Sequence, residues 1–180
     1  MTADLQKEVL AMDEQAFYKV TYGLYVVSAE ADGGRSGCIV NTLQQVTAEP
    51  IRLAVTISKE NYTCELIEQA GRFAALALDQ RAYLPLIGRF GFRQGRDFDK
   101  FSGLPIERDE NGMPYSTAAA CARYSCRVTE TVDLETHLMF VGEAEEAEIL
   151  SEENPLTYTY YRTVIRGKTP KNAPSYQRKV

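Results

Sequence analysis

The chain has 180 residues, the size of one ordinary domain with a single hydrophobic core. Its 20 basic and 25 acidic side chains give a net charge of −5, which argues against a nucleic acid or an anionic membrane as the main partner. The hydrophobic content of 44% is typical of a folded protein, and no apolar run approaches the roughly 20 residues of a membrane span. The polar N-terminus is unlike a signal peptide, so we expect a cytoplasmic protein.

The cysteines favour a reducing compartment and argue against a metal site. Cys38, Cys64, Cys121 and Cys126 contain no C-x-x-C pair, and the chain has only one histidine. These are too few well-spaced ligands for zinc. We therefore expect buried free thiols and no bound metal.

The first third of the chain predicts a short helix and then strands. Apolar residues at three- and four-residue steps predict a helix over 4–16. Strands over 23–29 and 37–42 flank Asp32-Gly33-Gly34, whose residues tolerate positive φ, so the pattern predicts a β-hairpin. An alternating run over 51–58 predicts a third, half-buried strand.

The middle of the chain predicts two helices, one strand and a long loop. Asn61 is placed to cap a helix that runs to residue 70, and Gly71 is placed to end it. A strand over 73–78 and a short helix over 83–87 follow. Residues 88–112 are rich in Gly, Arg and Asp, so we expect a long surface loop there.

The last third of the chain predicts strands over 122–132, 137–142 and 146–150, followed by an aromatic run over 158–165. Successive short strands with inserted helices predict a mainly β, antiparallel barrel. We expect one domain over 1–180, with an N-terminal helix over 1–16, the barrel over 17–165 and a tail over 166–180.

Two polar segments and one histidine are candidates for ligand binding; no nucleotide-binding glycine motif or nucleophile elbow accompanies them. Amides and hydroxyls directly after a hydrophobic strand suit a ring with carbonyls and ring nitrogens, or they are ordinary turn residues before Pro50. Hydroxyls and a lysine at a helix start suit a phosphate, although capping alone explains Asn61. His137 is either a proton donor or heterocycle contact, or an ordinary surface histidine. The ring-binding candidates are Asn41, Thr42, Gln44, Gln45 and Thr47, and the phosphate candidates are Ser58, Lys59, Asn61 and Thr63.

The loop over 88–100 adds a basic and aromatic cluster. Arg89, Arg93, Arg96 and Lys100 surround Phe90 and Phe92. Such interleaving binds single-stranded nucleic acid in some proteins. In an acidic chain with only this patch, a phosphorylated small molecule fits better, and a solvated loop is the alternative.

Seven segments together resemble one known family in their order along the chain. They are YGLYVV (22–27), CIVNT (38–42), QVT (45–47) with Pro50, SKENYT (58–63), FGFRQGR (90–96), DKF (99–101) and PLTY (155–158). This set resembles the flavin reductase-like, FMN-binding split β-barrel family. The likeness is strongest to the flavodomain of high-molecular-weight rubredoxins and to flavoredoxin-type proteins, and it extends from about residue 17 to 176.

The resemblance implies a fold and an activity. The fold is a six-stranded Greek-key split barrel that forms a homodimer, with FMN near the dimer interface. The activity is that of an NAD(P)H-dependent flavin reductase, which passes electrons from NAD(P)H through FMN to a separate acceptor such as free flavin, rubredoxin or another redox protein. The alternatives are a non-catalytic FMN electron carrier that a partner protein reduces, and a barrel that binds another planar ligand.

The resemblance also implies roles for individual residues. His137 would be the catalytic residue, facing the flavin or the nicotinamide. The isoalloxazine and ribityl chain would contact Asn41, Thr42, Gln45, Val46 and Thr47, the phosphate would contact Ser58, Lys59, Asn61 and Thr63, and Lys100, Phe101 and Tyr160 (or Tyr161) would add further contacts. One departure lies beside His137, because Glu135 stands where the resemblance predicts a glycine.

Overall fold

The structure is a computed structural model that describes residues 12–170. Its strands are Tyr25–Ala31 (β1), Gly34–Val40 (β2), Gln44–Ala48 (β3), Ile51–Ser58 (β4), Arg72–Leu78 (β5), Glu107–Arg108 (β6), Pro114–Tyr115 (β7), Ala120–Asp133 (β8) and His137–Ile149 (β9). Its helices are a 3-10 helix, Glu14–Lys19, and three α-helices, Tyr62–Ala70 (α1), Leu84–Phe92 (α2) and Tyr158–Thr163 (α3). Within the described range, every helix is too short or too polar to cross a membrane.

Seven strands form one antiparallel sheet in the order β2-β1-β5-β8-β9-β4-β3. The chain passes from β4 through α1 to β5, which lies on the far side of β8 and β9, so the connection crosses the sheet as a Greek-key fold does. Residues of β2 and β4 line one cleft, so the sheet curves round into an open barrel. The predicted mainly β, antiparallel fold is confirmed, with one strand more than the six that the resemblance implied.

Three local predictions are confirmed in detail. Asp32 and Gly33 join β1 to β2 with φ angles of 49° and 77°, the left-handed conformation that a two-residue hairpin turn requires. Asn61 caps α1 by accepting a hydrogen bond from the Thr63 N–H at 3.1 Å, and Gly71 ends the helix with a φ of 63°. The strand β4 has the predicted bounds.

Two elements differ from the prediction because their environment overrides a weak local pattern. The polar segment Gln44–Ala48 is a strand, yet all five residues are exposed at the sheet edge, so the sequence shows no apolar alternation there. The helix α2 continues past residue 87 to Phe92, because Ile87 and Phe90 bury their side chains on one face of it. The sequence did not predict this extension, since two glycines weaken the helical pattern there.

The C-terminal elements also differ from the prediction. The strands predicted over 137–142 and 146–150 are one strand, β9, whose glutamates form ion pairs with arginines of β5 and β8. The aromatic run after residue 157 begins α3, which Thr157 caps. Most of the helix predicted over 4–16 lies outside the described residues, and the described part contains the 3-10 helix instead.

Candidate functional site

One cleft brings together side chains from β2, β4, α2, α3 and the start of β9. It is partly open to solvent and is lined mainly by apolar side chains with a few polar groups, as small-molecule sites commonly are. Its polar side chains are Asn41, Thr42, Thr56, Ser58, Asn61 and His137, and its apolar walls include Ile39, Val40, Ile57, Ile87, Phe90 and Phe92. Uncharged donors and acceptors from the end of β2, from β4 and from the α1 cap therefore lie beside apolar walls, and Lys168 also lines the cleft.

The end of β2 is fastened to β4 by the side chain of Thr42. Its hydroxyl donates to the Thr56 carbonyl oxygen at 2.7 Å and accepts from the Thr56 N–H at 3.3 Å. The neighbouring strand β3 pairs with β4 only as far as Ala54, so this hydroxyl continues the ladder by two residues. Buried Asn41 lies next to this seam and lines the cleft.

His137 presents the clearest sign that a ligand belongs in the cleft. It begins β9 directly opposite Ser58, and its Nδ1 lies 2.8 Å from the Thr136 hydroxyl. Its Nε2 is buried and has no hydrogen-bond partner within residues 12–170. A buried polar atom without a partner is costly, and a ligand atom in the cleft would remove that cost.

The end of β4 and the cap of α1 each supply one cleft residue. Ser58 and Asn61 line the cleft, and the side-chain oxygen Oδ1 of Asn61 already accepts the capping hydrogen bond from the Thr63 N–H. The Lys59 ammonium instead forms an ion pair with Asp133 at 2.6 Å, which lowers the pKa of that carboxyl. Thr63 is buried and donates to the Ser36 hydroxyl at 3.2 Å.

Lys100 and Phe101 lie behind the cleft wall rather than in it. Lys100 is 2% exposed, and its ammonium donates to the carbonyl oxygens of Gly37 at 2.8 Å and Phe90 at 3.0 Å. Burial lowers the pKa of this lysine. The Phe101 ring meets the Phe90 ring edge-on, with centroids 5.3 Å apart.

The other predicted contacts lie elsewhere in this single chain. Gln45, Val46 and Thr47 are exposed on β3 and do not line the cleft. Tyr160 does not line it either, whereas Tyr158 and Tyr161 do, because residues three apart share one face of α3. The flavin contacts proposed for Gln45, Val46, Thr47, Lys59, Thr63, Lys100, Phe101 and Tyr160 stay predictions.

The sequence reasoning missed several cleft residues. Thr56 shares a strand face with Ser58, two residues on, so strand alternation could have found it. Residues 168–170 line the cleft because the Tyr161 hydroxyl donates to the Lys168 carbonyl oxygen at 2.7 Å and the Tyr158 hydroxyl bonds with that of Thr169. No local pattern signals such a return of the chain.

Comparison with known proteins gives the cleft a context. Residues 17–168 match the family described as "Flavin reductase like domain". The ferric-chelate reductase (NAD(P)H) of Archaeoglobus fulgidus is 41% identical over 165 residues, covering 92% of this chain and 98% of that one. The high molecular weight rubredoxin of Moorella thermoacetica is 39% identical over 165 residues, covering 92% of this chain and 72% of that one. Among solved structures, the FMN-binding protein of Thermus thermophilus has a TM-score of 0.68 at 21% identity, covering 83% of this chain and 81% of that one.

Proposed function

Because the chain belongs to the flavin reductase-like domain family, we propose that it is an NAD(P)H-dependent flavin oxidoreductase that holds FMN in the cleft between β2, β4 and α2. The observation that carries this proposal is the buried Nε2 of His137, which has no hydrogen-bond partner within residues 12–170, in a cleft with apolar walls and polar side chains. The name of the Archaeoglobus relative supports NAD(P)H as the electron donor.

The residues of the cleft divide the binding of FMN among them. Asn41 would contact the polar edge of the ring system, while Ile39 and Phe90 would cover its faces and exclude water. Ser58, at the end of β4, and Asn61, the cap of α1, would hold the phosphate near the start of the helix, where the helix dipole favours negative charge. Bound FMN would supply the redox chemistry, taking a hydride from NAD(P)H and passing electrons on. His137 would hold a polar atom of the flavin or the nicotinamide through Nε2.

The electrons would leave to a separate acceptor. Free flavin and rubredoxin are the candidates that the sequence suggested, and the name of the Archaeoglobus relative adds a ferric chelate. Purified protein with NADH and each acceptor in turn would identify the fastest.

We also propose that two copies of the chain form a homodimer. The exposed strand β3 and the apolar side chains of Phe17, Tyr18 and Val20 offer surface for a second copy. Light scattering after size exclusion would test this, and a mass of 20.2 kDa, that of one chain, would contradict it.

The visible absorption spectrum of the purified protein tests the main proposal. We expect a yellow protein that bleaches when NADH or NADPH is added without oxygen. A yellow protein that only dithionite bleaches would favour an electron carrier that a partner protein reduces. A protein that stays colourless after incubation with FMN would contradict both.

A further inference from the structure

We infer that Lys100 is a positioning residue of the cleft: its buried ammonium group fastens the end of α2 to β2 and places a positive charge behind the cleft wall. The inference rests on the proposed function, because it concerns how the same cleft holds and tunes a flavin. It gives Lys100 a role that requires no contact with the ligand.

The first step is the unusual environment of the lysine. Its side chain is 2% exposed, and Nζ donates to Gly37 O at 2.8 Å and Phe90 O at 3.0 Å. No carboxylate forms an ion pair with it in the described part of the chain. A buried charge is expensive, so a lysine held only by carbonyl oxygens needs a reason to be there.

The end of α2 supplies part of the reason. Phe90 lies in the last turn of α2, where carbonyl oxygens have no partner within the helix. A cation at a helix C-terminus satisfies those oxygens and is stabilised by the helix dipole. Lys100 therefore acts as a cap that is bonded at the same time to a neighbouring strand.

Both bonded carbonyls belong to segments that form the cleft. Gly37 precedes Cys38 and Ile39 of the cleft wall, and Phe90 lines the cleft together with Gly91. A Cβ atom on Gly37 would lie 3.1 Å from the Phe90 ring, so strand and helix already touch at this point. The ammonium bridge thus fixes the position of α2 relative to the adjoining strand β2.

The segment that carries Lys100 is itself anchored to β2. Asp99 forms an ion pair with Arg35 at 2.7 Å and accepts a hydrogen bond from the Phe101 N–H at 3.0 Å. The Phe101 ring is fully buried against Phe90. These contacts hold the lysine in place from both sides.

The charge of Lys100 has a consequence of its own. Reduction adds negative charge to a flavin, and a protein tunes its potential through charges near the ring. The ammonium lies close enough to Cys38, a cleft residue, for each charge to affect the pKa of the other. Because Lys100 is buried, its charge is poorly screened by water, and a positive charge near the ring stabilises the reduced flavin over the oxidised one.

Lys100→Met tests the inference, because methionine keeps an unbranched apolar stem and removes the ammonium. We expect FMN to bind at least ten-fold more weakly, measured by quenching of flavin fluorescence, and the midpoint potential of bound FMN to become more negative. Lys100→Gln, which restores N–H donors without the charge, should recover part of the affinity and keep the lowered potential. If Lys100→Met does not fold, the same measurements on Lys100→Gln test the inference.

Two controls separate positioning from a general loss of stability. Arg108→Met also removes a positive charge, from an exposed strand outside the cleft and the proposed dimer surface, and should alter neither affinity nor potential. Leu76→Ala removes packing from β5, away from the cleft, and should lower the melting temperature while FMN affinity, measured well below that temperature, stays the same.

Amide hydrogen exchange without FMN completes the test. Exchange should be faster in Lys100→Met than in Arg108→Met at residues 90–92, and unchanged in β5. Wild-type affinity and potential in Lys100→Met, or in Lys100→Gln if only that variant folds, would overturn the inference. If the wild-type chain binds no FMN, the proposed function fails and the exchange comparison decides the positioning role alone.

Discussion

His137 has one ring nitrogen engaged and one left for the cleft. Nδ1 lies next to the Thr136 hydroxyl, and Nε2 is buried without a partner within the described residues. We predict that His137→Ala slows reduction of bound FMN by NADH at least ten-fold in anaerobic stopped-flow measurements, since a group positioned against reacting atoms typically contributes about 10²-fold or more. FMN affinity should change less, because other side chains hold the cofactor.

Thr136→Val provides the matched control for His137. It removes the neighbour of Nδ1 but leaves Nε2 in place, so reduction should slow less than in His137→Ala. A variant His137→Ala that is reduced at the wild-type rate but binds FMN far more weakly would give His137 a binding role only.

Asn61 combines a capping role with a proposed phosphate role, and a substitution can separate them. Aspartate caps helices as well as asparagine, so Asn61→Asp should leave the free energy of unfolding within about 0.5 kcal/mol of wild type. Its negative charge would repel the phosphate, so FMN should bind at least ten-fold more weakly while riboflavin binds as before. Equal weakening for FMN and riboflavin would place the phosphate elsewhere.

At the scale of elements, the seam between β2 and β4 depends on one hydroxyl. Thr42→Val keeps the shape but removes both hydrogen bonds to the Thr56 backbone. We predict a loss of about 2 kcal/mol in the free energy of urea unfolding, together with weaker FMN binding, because backbone groups lose their partners at the cleft. Thr42→Ser retains the hydroxyl and should lose less of both. Wild-type FMN affinity in Thr42→Val would show that FMN binding does not depend on these two hydrogen bonds.

The elements show which parts of the molecule a sequence specifies locally. The β1–β2 turn, β4 and the capped helix α1 were predictable because their signals lie within a few residues. The strand β3 and the single strand β9 were not, because edge pairing and cross-strand ion pairs involve distant residues. Position 135 is a case in which the resemblance carries a local signal that the residue itself does not. The resemblance predicts glycine there, and the backbone has a φ of 64°, a conformation that favours glycine, although the residue is Glu135.

The candidate site shows the same division between local and distant signals. Ser58 and Asn61 face the cleft because a strand end and a helix cap fix them locally. Lys59, between them, turns away because Asp133, 74 residues later, takes its ammonium. The burial of Lys100 depends on carbonyl oxygens of two other elements. Local chemistry thus predicted the kind of site, whereas the long-range contacts decide which side chains line it.

At the scale of the whole molecule, the buried thiols link folding to alkaline pH. Burial raises the pKa of Cys38 to about 11 and the pKa values of Cys64 and Cys126 to about 12. Between about pH 9 and pH 12 the unfolded chain releases these protons while the native state keeps them, so the stability falls as pH rises. Lys100 acts in the opposite direction, because burial lowers its pKa and the native state loses that proton first.

Burial also raises the pKa of Cys121, so four thiols oppose one lysine and we predict a net loss of stability above pH 9. Urea unfolding from pH 8 to 10.5 in the presence of reductant would measure it. Removing one thiol with Cys126→Ala should reduce the slope by up to about 1.4 kcal/mol per pH unit, whatever the cavity costs at neutral pH. Parallel profiles for the two proteins would mean that Cys126 titrates normally in the native state. The change in the pH dependence of the free energy of unfolding therefore measures how strongly the barrel core around Cys126 excludes water.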